Sequence, residues 1–326
     1  MGKCISSLIV DHLMDKVEII IVNDGSTDNT ESIALGYVNQ YPGSILLVNK
    51  KNGGHGSAVN IAVKRATGRY FKVIDADDWI MTDNLSDFLE QLEIHDVDAV
   101  INSFCTVNLR SGRIIRYSVN AANSREVVLL DRLIENYHQI SACCSIHGIT
   151  YNLDTYMKSG CQLSEGVSYD DNEYATLPFS HINKVLLLPF DFYQYQIGNS
   201  EQSVSLQNQV KRIGHLILVA NSILDFWETR NDISAASEKY YMLKTAQVFV
   251  SVFATCLVKN PLKASGRKLA DEVWHSLKSR KPEIAAQVRN KYRTLRVLNI
   301  LHLPGSLYQW ATDFKIYKKF RLWWSK

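Results

Sequence analysis

Aspartates carry most of the chemistry that can be read in this chain. Asp24 follows a short apolar run over residues 17–22 (VEIIIV), and Asp75, Asp77 and Asp78 follow another over 70–74 (YFKVI). In a parallel α/β sheet, ligands gather beyond the carboxyl ends of the strands. Four carboxylates converging on one such edge repel each other, and a divalent cation relieves that repulsion. Oxygen ligands suit Mg²⁺ or Mn²⁺. Such an ion would bridge a diphosphate and neutralise the charge on a leaving nucleotide. The plainer reading is that Asp24-Gly25 and the Asp77-Asp78 pair only cap turns and helices. It holds well for Asp24 alone, and less well for an acidic cluster directly after a buried strand.

The elements that would position these groups alternate. Strands are expected over 17–22, a short apolar run ending in a turn, and over 44–48 (SILLV) and 70–74 (YFKVI). Helices are expected between them over 29–40, with Ser26 or Thr27 as cap, and over 58–66, stopped by Gly68. Residues 52–56 (NGGHG) read as a flexible loop. A helix over 84–94 and a strand over 99–104 continue the series, which implies βαβ units and a mostly parallel sheet. Further on, an antiparallel strand is expected over 112–119, further strands over 148–152 and 184–195, a helix over 127–137 and a helical turn over 172–177. From about residue 210 the pattern is helical, over 210–228, 235–258, 268–278 and 284–298. The expected class is therefore α/β with a helical C-terminal region.

Bulk composition narrows the function. The chain has 326 residues, 46% of them hydrophobic, and a net charge of +3, so overall charge does not mark it as a nucleic-acid binder. The six cysteines have no Cys-x-x-Cys spacing, and Cys143 and Cys144 are adjacent. This pattern is neither a disulfide framework nor a zinc site, and it fits a reducing, cytoplasmic compartment. The first residues lack the apolar core and cleavage site of a signal peptide. The longest apolar run, 246–258, falls short of the roughly 20 residues that span a bilayer.

Taken in order, Val22-Asn23-Asp24-Gly25-Ser26-Thr27-Asp28, then Asn52-Gly53-Gly54, then Asp75-Ala76-Asp77-Asp78 resembles the family 2 glycosyltransferases of the GT-A fold. Residues 66–70 (ATGRY) resemble that family's link into its Asp-x-Asp strand. The resemblance is strong over 4–105, weaker to about 205, and absent beyond. It implies that Asp24 hydrogen-bonds the nucleotide base, usually uracil. Asp75 and Asp77 would form the Asp-x-Asp pair, touching the ribose and the metal-bound diphosphate, with Mn²⁺ or Mg²⁺ as the ion. The Gly53-Gly54 loop would let the backbone pass close to the nucleotide. Ser168-Tyr169-Asp170-Asp171-Asn172-Glu173-Tyr174 resembles the family's acidic motif near the acceptor. Inverting transfer needs a carboxylate to take the acceptor proton. Asp171 matches that base, with Asp170 as the alternative. An acidic helix start favoured by the dipole is the structural reading of the same residues. By resemblance, His147 falls near the acceptor, and Tyr193-Gln194-Tyr195, Gly198 and Gln202-Ser203 resemble a segment that closes over the donor phosphates.

The chain also departs from the family. No opening central strand ending in Pro-x-Tyr-Asn precedes residues 1–15, which read as the helix expected after it. The expectation is that the natural start lies further upstream. The proposed division is a donor part over 1–105, an acceptor part over 106–207, and a helical region over 208–326. From Lys291 to Lys326 there are eight Lys or Arg and one acid, Asp313, interleaved with aromatics that include Trp310, Trp323 and Trp324. That composition suits an anionic membrane surface. Nucleic acid and plain amphipathic packing are the other readings. The leading expectation is an inverting transferase that moves a sugar from a nucleoside-diphosphate donor, UDP by resemblance. Its acceptor would be a growing polysaccharide or lipid-linked glycan, and it would sit peripherally on the cytoplasmic membrane face. A non-catalytic glycan-assembly subunit of the same fold and a nucleotidyltransferase are the alternatives.

Overall fold

The computed structural model describes residues 1–119, 125–198 and 206–302. In chain order its elements begin with α1 (Gly2–Leu8), β1 (Ile19–Asn23), α2 (Thr30–Gln40), β2 (Ile45–Asn49), α3 (His55–Arg65), β3 (Tyr70–Phe71), β4 (Trp79–Ile80), α4 (Leu85–Ile94) and β5 (Ala99–Asn108). There follow β6 (Ile114–Tyr117), β7 (Glu126–Leu129), α5 (Leu130–Glu135), α6 (Tyr137–Ile140), β8 (Ile149–Asn152), α7 (Leu153–Ser159), α8 (Asp171–Tyr174) and β9 (Lys184–Ile197). The rest is helical: α9 (Leu206–Lys211), α10 (Ile213–Glu228), α11 (Ala235–Ala254), α12 (Lys263–Arg280) and α13 (Pro282–Ile300).

The α/β class and the helical C-terminal region are as expected, but the strand pairing differs. Among the described residues, β1 and β2 form a parallel pair by themselves, and β3-β8-β5-β9-β4, joined by β6 and β7, make a second sheet. Only β1–β2 and β5–β9 are parallel; the other pairings are antiparallel. The sheet is thus mixed rather than mostly parallel, because β8, β4, β6 and β7 each run against their neighbours. The core strand β5 is buried over its first eight residues, with β9 along one edge and β8 followed by β6 along the other. Its buried stretch is mainly apolar, with Asn102, Ser103 and Thr106 as buried polar residues within it.

The N-terminal segment belongs to the packing of both sheets. Ile5 and Met14 pack with Ile19 and Ile45, while Leu13 packs with Ile80, Leu85, Val100 and Leu186. Leu8 touches both clusters. The Ile80 amide donates to Ser7 Oγ at 3.1 Å, and Thr82 Oγ1 donates to the Ser7 carbonyl at 2.9 Å, tying α1 to the turn after β4.

Several local expectations are corrected. The ladder of β3 covers Tyr70–Phe71 alone, because the chain leaves the sheet at Lys72 on its way to the aspartates. The start of α2 is capped from Asp28, whose Oδ1 accepts from the Thr30 amide at 3.0 Å, and not by Ser26 or Thr27. The helix expected over 127–137 begins later. The β-branched pair Val127-Val128 extends instead as β7 beside β9, and the helix starts at Leu130.

By contacts the described chain forms two compact units. One comprises Met1–Gln202 with Ser222–Tyr241, and the other Ser203–Asn221 with Met242–Lys326. Residues 222–241 join the first unit through Tyr240 and Tyr241. Their hydroxyls donate to the Ala175 and Leu177 carbonyls at 2.9 and 2.8 Å. In the second unit, Trp274 stacks on Tyr292 at 4.4 Å, and Arg267 donates to Asn299 Oδ1 at 2.6 Å. The helical stretch Ala235–Lys259 is 25 residues long and, by length and composition, apolar enough to cross a membrane; 72% of its most apolar window is buried in the protein. The helix begins well before the apolar run at 246–258, so length does not exclude a span as expected. Its burial is that of a core helix.

Candidate active site

The site begins where β1 ends. Asn23 and Asn49 pair across the parallel ladder, with Asn23 Nδ2 donating to Asn49 Oδ1 at 2.9 Å. Asn23 Oδ1 accepts from the Ser26 amide at 3.0 Å and so shapes the turn. Asp24 is fully engaged by the protein. Lys50 Nζ and the Gly53 amide donate to its Oδ1 at 2.5 and 2.9 Å, and the Gly54 amide to its Oδ2 at 2.8 Å. Burial opposes its charge, but these donors outweigh it and hold the carboxyl below the usual aspartate range. Asp24 therefore braces the Gly53-Gly54 loop against β1. That loop requires glycine: Gly54 has φ +82°, and a Cβ on Gly53 would lie 2.5 Å from Ser57 Oγ.

The loop feeds directly into α3, whose first residue is His55. The sequence pattern places this histidine in the loop over 52–56. Its Nδ1 donates to Asp170 Oδ2 at 2.5 Å, and its Nε2 lies 3.3 Å from Asp75 Oδ1. Burial opposes the imidazolium, yet Asp170 and Asp75 raise its pKa to about 11. One ring thus connects the acids after β3 to the acidic motif at the start of α8. The sequence signal was a histidine directly after Gly-Gly and before a helix, which is a weak pattern by itself.

The three acids after Ile74 have different surroundings. Asp75 is partly buried, and its amide donates to the Tyr193 hydroxyl at 3.1 Å. Burial raises its pKa, but His55 and the nearby His147 bring it below the usual range. Asp78 is 1% exposed. The Tyr193 hydroxyl donates to its Oδ2 at 2.6 Å and the Gln196 amide to its Oδ1 at 2.7 Å. Burial pushes its pKa up to about 7, against those two donors. Asp78 thereby fastens the turn to β9. Asp77 is exposed on the same turn.

His147 stacks on Tyr195 at 4.2 Å, and burial lowers its pKa to about 4, against the pull of Asp75. It is neutral at physiological pH and so able to offer a nitrogen lone pair. Ligand atoms of Asp75, Asp78 and His147 lie within 4.8 Å of one another. Oxygen and imidazole donors suit Mn²⁺ and accept Mg²⁺ less readily. This grouping includes Asp75 from the sequence-based pair but not Asp77. Below it, Lys72 Nζ donates to the His147 and Ile149 carbonyls at 2.9 and 3.2 Å, and burial lowers its pKa to about 7.

On the other side, Asp170 is buried and Asp171 is partly exposed as the first residue of α8. Tyr169, just before them, has φ +76°. A positive φ in a bulky residue is an outlier of the kind found at ligand sites. The loop leading to it is clamped to α3: Asn60 exchanges hydrogen bonds with the Leu163 backbone at 2.9 Å each, and the Gly166 amide donates to the Gly53 carbonyl at 2.6 Å. Gly198 lies at the end of β9, and Gln202-Ser203 falls outside the described residues.

The chain is 27% identical over 221 residues to the minor teichoic acid biosynthesis protein GgaB of Bacillus subtilis, covering 65% of this chain and 23% of that protein. It is 24% identical over 195 residues to the glycosyltransferase EpsJ of the same organism, covering 60% of this chain and 56% of EpsJ. The chain thus spans well under two thirds of these curated relatives. Among solved structures, S. aureus TarS 1–349 superimposes with a TM-score of 0.56 at 17% identity, over 91% of this chain and 86% of TarS 1–349. The same TarS region bound to UDP-GlcNAc gives a TM-score of 0.53 at 18% identity. At that identity the likeness establishes the fold, which is the GT-A fold. Residues 1–157, which carry Asp24, the Gly53-Gly54 loop and the Asp75–Asp78 turn, match the model of the glycosyl transferase family 2 domain.

Proposed function

We propose that the chain is an inverting glycosyltransferase that moves a sugar from a nucleoside-diphosphate donor, UDP-linked, to a hydroxyl of a growing polysaccharide or lipid-linked glycan. The carrying observation is that Asp75, after β3, and Asp170, before α8, meet at the two nitrogens of His55. Donor-side and acceptor-side acids thus face one space. The acceptor hydroxyl would lose its proton to Asp171 as its oxygen attacks the anomeric carbon. The bond from that carbon to the diphosphate oxygen breaks, and the configuration inverts. Asp75, with Asp77 beside it and His147 within reach, would hold a divalent cation. Such an ion neutralises the charge on the departing diphosphate. Asp24 would act on the base side of the nucleotide partly through the glycine loop that it braces.

The relatives support this reading. GgaB is named for minor teichoic acid biosynthesis, and TarS has been solved with UDP-GlcNAc. The transferase part is taken as residues 1–207 and the helical region as 208–326, with 222–241 packed into the first unit. The basic aromatic stretch would hold the enzyme on the cytoplasmic face of an anionic membrane, where a lipid-linked acceptor resides.

Calorimetry with UDP tests the donor site. Binding should require Mn²⁺ or Mg²⁺, weaken at least about tenfold in Asp75→Ala and Asp77→Ala, and vanish in EDTA, because the diphosphate loses its bridging charge. Equal affinity in EDTA overturns the metal site. Absence of UDP binding with Mn²⁺ present overturns the donor assignment.

A further inference from the structure

We infer that His55 is a positioning residue of the transfer reaction: it anchors Asp170 against donor-side Asp75 and leaves Asp171 to act as the base. The inference rests on the glycosyltransferase reading of the same site. It starts from how firmly the ring is placed. The Gly53 and Gly54 amides are tied to Asp24, and the Gly53 carbonyl to the Gly166 amide. One residue past His55, a Cβ on Gly56 would come within 2.3 Å of the Ser164 carbonyl oxygen. The start of α3 is therefore locked to β1 on one side and to the 163–166 loop on the other. The ring has little freedom, and both of its nitrogens face carboxylates.

Asp170 is the group most dependent on that ring. Its side chain is 4% exposed, and His55 lies 2.5 Å from its Oδ2. A buried carboxylate without a partner is costly, so the pair holds together. A carboxylate held this way is poorly placed to receive a proton from an incoming hydroxyl. Asp171 follows directly and opens α8, and it is partly exposed. Fixing Asp170 fixes the peptide that presents Asp171. The same ring touches Asp75, so donor acids and base are held in one frame. Small errors in such a frame cost rate more than affinity.

The test uses the full chain: the parent, His55→Ala, His55→Gln, Asp170→Asn and the double variant His55→Ala/Asp170→Asn. UDP release from a panel of UDP-sugars gives kcat and KM, calorimetry gives UDP affinity, and thermal melting gives stability. His55→Ala should lower kcat by about 10–100-fold, the usual range for a supporting residue. Its KM and UDP affinity should stay within about threefold of the parent. His55→Gln, which keeps one donor, should recover part of kcat. The double variant should be no worse than His55→Ala, because the two residues act as one unit. A His55→Ala protein with parental kcat overturns the inference, as do additive losses in the double variant. Equal losses of UDP affinity and kcat would assign His55 to donor binding instead and also overturn it. If His55→Ala does not fold, the Gln and Asn variants decide by the same criteria. A parent that neither binds UDP nor releases it from any UDP-sugar sinks the transferase reading and this inference together. An active parent indifferent to His55 sinks the inference alone.

Discussion

At the scale of single residues, neighbouring carboxylates are given different tasks by their surroundings. Asp170 and Asp171 are adjacent, yet one is buried against His55 and the other is partly open. Asp171→Asn should therefore keep UDP binding and lower turnover by about 10²–10⁴-fold, the range for loss of a general base. Near-parental turnover in that variant, with Asp170→Asn inactive, would move the base by one residue. Glu173, two residues on, is fully buried, and the Ser164 amide and hydroxyl both donate to it at 2.7 Å. Burial raises its pKa despite hydrogen bonds from Ser222 and Ser164. The native state thus holds this proton more tightly than the unfolded chain does. The stability it contributes is present at low pH and is lost as pH rises from the ordinary glutamate range through the raised native value. Glu173→Gln cannot titrate. Its melting temperature should therefore improve relative to the parent as pH rises from about 4 to about 8, across the carboxylate range. A difference that stays flat with pH would show that Glu173 does not titrate in this way.

At the scale of elements, the site depends on how closely α3 approaches the loop before α8. Gly56 sits in the first turn of α3, where a helix would normally favour alanine. Here a methyl group would collide with the Ser164 carbonyl, 2.3 Å away. Gly56→Ala should therefore destabilise the protein by about 1–3 kcal/mol, the usual range for overpacking. Urea denaturation should show a lower midpoint with an unchanged slope. A variant as stable as the parent would mean that the contact relaxes freely. The turn from Asp75 to Asp78 depends in the same way on β9, because Tyr193 bridges the Asp75 amide and the Asp78 carboxylate.

At the scale of the whole molecule, the basic aromatic composition from Lys291 onward divides at α13. Tyr292, Leu295 and Asn299 are buried in the second unit, so the segment up to about residue 300 is part of a packed helix. The Trp310, Trp323 and Trp324 stretch lies outside the described residues. Each basic residue near an anionic leaflet gains up to about 1 kcal/mol, and salt weakens that attraction. The chain should co-sediment with anionic but not neutral vesicles, and less so at high salt. Truncation after His302, which spares the core of α13, should abolish binding. A full-length chain that stays in the supernatant with anionic vesicles at low salt would remove the membrane reading.

What the sequence determined by itself was local and ordered. Asp24, Gly53-Gly54 and the Asp75–Asp78 group each follow an apolar run or open a helix, and those patterns are written in neighbouring residues. Composition likewise marked the helical C-terminal region. The tertiary structure decided what meets what. His55 looked like one residue of a loop, because its partners Asp75 and Asp170 are far from it in the chain and only folding brings them to its ring. Asp78 looked like a spare ligand until Tyr193 and Gln196 of β9 were seen to engage both of its oxygens. The antiparallel run of β6 matches the antiparallel strand expected over 112–119, but the antiparallel placement of β8, β4 and β7 was unreadable, because apolar runs report burial and not strand direction. A sequence displays the chemistry of its side chains, but charge balance, occupancy and geometry at a site arise from long-range contacts.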